Sequence, residues 1–245
     1  MITNMQQLWR SIASSVSLII TFLIIIIFYW ALMHIGAYIS NLDGQVLFKF
    51  LLPTASAESW NKTQVIWIYL VPYLVLAMLY ISLKWHRNYP VTLPSWLQLI
   101  QNWTYLLIML FVFFMPLVDI INKQGLYHAL NWLHINRLIQ FAFGVAMWLI
   151  FIYKAFHVSV LFSTSLQLPS PKTNNDWRAN FSRDPKQILI QLLFLWYIPV
   201  VVLSILIYIL SAFTLSPIYL YFFSGMLFLL LINTWLIQRY NVIVK

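Results

Sequence analysis

Long apolar runs recur along this chain, each bounded by charged or turn-forming residues, and their length decides the fold class. A run of roughly 20 apolar residues wound as a helix covers the ~30 Å hydrocarbon layer of a bilayer, where only helices and closed barrels satisfy their own backbone. About six such runs are readable, over residues 16–38, 64–83, 96–118, 137–160, 186–211 and 217–238. They predict an all-α integral membrane protein, a single polytopic domain over 1–245 with its helices in one bundle. Arg10 before the first run and Ala55-Ser-Ala57 after it resemble a signal peptide and its cleavage site. The run is too long for a signal core and the site lies too far beyond it, so it reads as a retained span.

Composition agrees. The chain is 62% hydrophobic and 18% aromatic, with 8% charged residues, where soluble domains carry about a quarter. The net charge of +9 comes from 14 Lys and Arg against 5 Asp and Glu. These cations are scattered rather than blocked, which argues for a topological cause and against a nucleic-acid partner. Cysteine is absent, excluding disulfides, thiol catalysis and Cys-ligated metals.

The cations set an orientation. With the N-terminus inside, the cytoplasmic segments hold Arg10, Lys84, Arg87, Lys154, Lys172, Arg178, Arg183, Lys186, Arg239 and Lys245. The outer segments hold only Lys49, Lys62, Lys123 and Arg137. The positive-inside rule therefore predicts both termini in the cytoplasm. Residues 1–14 read as a short amphipathic interfacial helix, with Ile2, Met5, Leu8, Trp9 and Ile12 opposite Gln6, Gln7 and Arg10. Helix starts are marked by Ser95 with Gln98, by Asp184-Pro185 with Gln187, and by Ser216-Pro217.

Candidate chemistry is sparse. His34 near the outer end of the first span, together with Asp119, His128 and His134 of the outer segment DIINKQGLYHALNWLHINR, is the nearest approach to a metal or haem constellation. Six residues separate His128 from His134, more than half a turn apart in azimuth, unlike the i, i+4 pairs that share an ion. Trp132 and Tyr127 beside them favour an interfacial aromatic belt, so neither metal nor cofactor is expected. Apart from Lys154, placed near the inner end of its span, no charged residue falls deep in an apolar run, which disfavours proton-driven transport. The amides Gln98, Gln101, Asn102, Gln187, Gln191 and Asn233 suit hydrogen bonds between helices.

Pro72, Pro116 and Pro199 interrupt three spans. The segments around Pro72 and Pro199 align on their prolines, the pattern of an inverted repeat, although independent kinks explain it as well. The longest hydrophilic stretch, the cytoplasmic loop 163–185, carries Trp177 beside Asp176 and Arg178, a pair of residue types suited to anchoring a partner. No HExxH, P-loop, GxSxG or glycine-rich nucleotide fingerprint is present. These features predict a non-catalytic subunit or scaffold of an envelope assembly of the secretion, conjugation or biogenesis type, in a bacterial inner membrane. Its expected partners are the lipid bilayer and other envelope proteins. The alternatives are a permease subunit for a lipid or apolar substrate driven by a separate ATPase and, more remotely, a haem- or metal-binding membrane protein.

Overall fold

A computed structural model describes residues 4–41, 48–49, 52–53, 60–87, 95–164 and 193–211. The described chain is helical apart from one antiparallel pair, β1 (Phe48–Lys49) with β2 (Leu52–Pro53). Helix α1 spans Asn4–Ile39. The second rod joins α2 (Lys62–Val65), a π-helical turn (Ile66–Leu70) and α3 (Val71–Arg87). The third joins α4 (Ser95–Met109), a π turn (Leu110–Phe114) and α5 (Met115–Asn122). A short α6 (Leu126–Trp132) leads into α7 (Arg137–Thr164), and a further π turn (Leu193–Tyr197) leads into α8 (Ile198–Ser211).

Among the described residues, four helical segments are long and apolar enough to cross a membrane: Ser11–Ile39, Lys62–Lys84, Trp96–Asn122 and Arg137–Lys154. They match the first four expected spans. The fifth expected span, 186–211, is described from Leu193 onward. The sixth, 217–238, lies outside the described residues, as do the caps expected at Asp184 and Ser216.

The separate N-terminal helix expected over 1–14 is replaced by one continuous helix. From Asn4 to Ile39, α1 runs 36 residues, about 54 Å at 1.5 Å per residue. The cause lies in its small polar residues. Ser11, Ser14, Ser17 and Thr21 recur at three- and four-residue spacing and are all buried, forming a shallow stripe that lets α4 approach closely. Trp103 Nε1 of α4 donates to Ser14 Oγ at 3.1 Å, which fastens the N-terminal turns to the bundle. Leu8, Trp9 and Ile12 remain exposed on the opposite side.

The main core gathers Leu18 and Phe22 of α1, Leu76 and Tyr80 of α3, Trp103 and Leu106 of α4, Phe151 of α7, and Trp196 and Leu203 of the α8 rod. A second cluster at the other end joins Met33 and Ala37 of α1 to Trp60, Val65, Ile68 and Tyr69, with Ala129 of α6 closing it. There Gly36 is the point of closest approach, since a Cβ on it would lie 2.6 Å from the Trp67 carbonyl oxygen. Asn61 caps α2 through a reciprocal pair, its Oδ1 accepting from Gln64 N at 3.0 Å and its N–H donating to Gln64 Oε1 at 2.9 Å. Gln64 Nε2 then donates to Ser40 O at 3.3 Å, tying the start of the second rod to the end of α1.

The prolines act through a shared backbone device. Each π turn occupies the residues from six to two before a proline, namely Pro72, Pro116 and Pro199, and all three prolines are buried. A proline inside a helix removes one N–H and pushes its ring against the carbonyl four residues back. Widening the preceding turn relieves that clash: Val71 N–H reaches Ile66 O and Met115 N–H reaches Leu110 O, each five residues back. The device recurs in three rods, so the match between Pro72 and Pro199 does not single out two halves of a repeat.

Candidate functional site

Polar side chains within the described spans converge on helix contacts. Tyr80 of α3 and Tyr105 of α4 stack at 5.1 Å and share a buried hydroxyl–hydroxyl hydrogen bond of 2.9 Å, with Phe113 edge-on to Tyr80. Tyr73, directly after Pro72, donates its hydroxyl to Val112 O at 2.5 Å. Val112 stands four residues before Pro116, so Tyr73 supplies the donor that Pro116 lacks. Thr21, Thr104 and Ser204 return their hydroxyls to carbonyls of their own helices. Gln140 on α7 is buried, with Nε2 donating to Ile135 O at 2.8 Å; its Oε1 meets no donor among the described residues.

The candidate residues expected on the outer side take separate roles. His34 lies edge-on to Trp30, one turn earlier on α1, with ring centroids 4.1 Å apart. His128 on α6 packs against Tyr69 at 5.8 Å and against its neighbour Tyr127 at 5.6 Å, which seats α6 on the π turn of the second rod. His134 is exposed in the turn after α6, with left-handed backbone at φ 56°. Among the described residues no three His, Asp or Glu side chains group so as to hold a metal ion.

Asp119 organises the turn beneath α6. Its carbonyl accepts from Lys123 N–H and, at 2.9 Å, from Gln124 N–H. Its carboxylate Oδ2 accepts from Leu126 N–H at 2.9 Å, satisfying one of the open donors at the start of α6. Gly125 stands between them at φ +47°, where a Cβ would overlap Oδ2 and come within 2.9 Å of the Asp119 Cγ. Asp119 thus holds α6 folded over the end of the bundle, a capping role that the sequence carried only as a possible oxygen ligand.

Lys154 is the last residue of the apolar segment Arg137–Lys154, at the end of its span as the sequence places it. Helix α7 itself continues ten residues farther, to Thr164. Lys154 also follows Gln140, Gly144, Met147 and Phe151 at spacings of four, three, four and three, the stripe that α7 turns toward the bundle. Trp177 and Arg178 lie outside the described residues.

Comparison with known proteins gives no match to any family model, to any curated protein or to any solved structure.

Proposed function

We propose that the chain is a non-catalytic, multi-pass membrane subunit that scaffolds an envelope assembly in a bacterial inner membrane, with about six spans and both termini cytoplasmic. The observation that carries this reading is the use made of polar groups inside the described spans. Tyr80 with Tyr105, Trp103 with Ser14, and Tyr73 with the Val112 carbonyl all join one helix to another. Asp119, the only acidic residue among those described, is engaged in capping α6. Such a distribution suits a rigid membrane body that presents loops and helix faces to partners rather than a site that turns over a substrate.

On this reading the partners are the bilayer and other envelope proteins, docked through the cytoplasmic loop 163–185. Its test is purification in mild detergent from the native membrane, comparing the wild type with a chain carrying both Trp177→Ala and Arg178→Ala. Loss of interface anchors of these types weakens binding by about 2 kcal/mol or more each. The paired variant is expected to remain in the membrane at wild-type abundance while the cytoplasmic partner is lost. Unchanged partner recovery would contradict docking through this loop, and recovery of an ATPase alone would favour the permease reading.

A further inference from the structure

The hydrophobic core of the described helices is divided in two. The main cluster takes Phe22 and Ile25 from α1 and Leu76 from α3, whereas the smaller one takes Met33 from α1, Tyr69 from the first π turn and Ala129 from α6. Along α1 the clusters are separated by the step from Ile25 to Met33, about 12 Å. Tyr29 stands midway, and among the described residues it alone packs against both clusters. Along the second rod the change falls between Tyr69 and Leu76, the interval that holds Pro72.

The helices are interrupted at this same level. Tyr73, directly after Pro72, donates its hydroxyl to Val112 O at 2.5 Å. Val112 belongs to the π turn of the third rod, ahead of Pro116, and Tyr29 stacks on Phe111 of that turn at 5.7 Å. In the third rod Met115, directly before Pro116, is the last buried member of the main core. Helix α6 is joined to α5 only through the turn at Gly125 and is seated on the smaller cluster by His128 against Tyr69 at 5.8 Å. A widened turn ahead of a proline is where a helix bends most readily.

We propose that Pro72 and its π turn form a hinge on which the smaller cluster swings against the main bundle, and that the Tyr73–Val112 hydrogen bond is the latch that holds it closed. With the latch made, the interrupted turns of the second and third rods are tied together and the two clusters move as one body. A second tie between these rods, Tyr80 with Tyr105, lies within the main core seven residues farther along α3. It therefore holds α3 in place and leaves the hinge free. Helix α1 crosses the level unbroken, a long helix that follows the movement by curving.

Paired spin labels test the hinge, and the absence of cysteine lets them be placed cleanly on the full chain in lipid nanodiscs. Labels at Thr63→Cys and Ser82→Cys, both exposed, straddle Pro72 along the second rod, about 28 Å apart. Labels at Thr63→Cys and Asn131→Cys, the latter exposed on α6, both ride on the smaller cluster. Their separations are read by double electron–electron resonance. In Tyr73→Phe a second Thr63–Ser82 separation should gain about fivefold in population over the closed one, the factor that one buried hydrogen bond contributes. The Thr63–Asn131 separation should stay as in the wild type. Tyr80→Phe, which removes a hydroxyl pair inside the main core, should leave both distributions unchanged. An unchanged Thr63–Ser82 distribution in Tyr73→Phe would overturn the proposal. Equal broadening of both label pairs, or the same shift in Tyr80→Phe, would overturn it as well, by showing general loosening in place of a hinge.

Discussion

Replacing Gly36 by alanine is expected to lower the melting temperature of the purified protein in detergent by about 5–10 °C. The added Cβ would stand 2.6 Å from Trp67 O and 3.0 Å from the Trp67 carbonyl carbon. Both are backbone atoms of the π turn before Pro72, so no side-chain rotation makes room. The two rods must separate, which opens contacts among Met33, Ala37, Ile68 and Tyr69 and adds overpacking that typically costs about 1–3 kcal/mol. Gly144→Ala serves as the comparison, since its nearest contacts lie at 3.1 Å and two of the three are flexible side-chain ends. It should melt measurably higher than Gly36→Ala. Equal melting of Gly36→Ala and the wild type would show that α1 does not approach the π turn this closely.

A comparable loss is expected from the turn beneath α6, with a distinctive pattern of coupling. Asp119→Ala removes the acceptor of Leu126 N–H and should destabilise by about 1–3 kcal/mol. Gly125→Ala forces a side chain into φ +47° and against Asp119 Oδ2, adding backbone strain of about 1–2 kcal/mol to the overlap. The alanine in place of Gly125 would itself displace the carboxylate, so removing Asp119 in that background should cost little more. The double variant is therefore expected to fall short of the sum of the two single losses by about 1 kcal/mol or more, read from thermal or denaturant unfolding in detergent. Strict additivity would mean that Asp119 and Gly125 act separately, and the capping role given to Asp119 would have to be withdrawn.

The legibility of these features in the sequence divides along physical lines. The first four expected spans were readable because crossing a bilayer requires only length and apolarity, which a single chain displays without reference to its neighbours. The extent of α1 was less readable. Leu8, Trp9 and Ile12 beside Gln6 and Arg10 suggested a surface helix, whereas the buried stripe beginning at Ser11 acts through Trp103, 89 residues away from Ser14. Apolar helices resemble one another, so their mutual registers are not encoded in any local pattern. This hid the Tyr80–Tyr105 pair and the Tyr73–Val112 contact. The prolines announced a disturbance at three positions, but not that a widened turn would precede each one. The grouping of His34, Asp119, His128 and His134 was inferred from a shared compartment, and residues at one end of a bundle need not point at a common centre. Here His34 and His128 meet aromatic rings while Asp119 meets a backbone N–H.

The docking loop and the scaffold reading both depend on one claim, that the chain crosses the membrane repeatedly with both termini in the cytoplasm. Compartment-specific reporters test it directly, fused after Lys245, inserted near Asn174, and inserted near Ser59. The excess of Lys and Arg assigned to the inner side predicts cytoplasmic signals from the first two and an outer-side signal from the third. The reversed pattern, or the same compartment for the Asn174 and Ser59 insertions, would contradict the account.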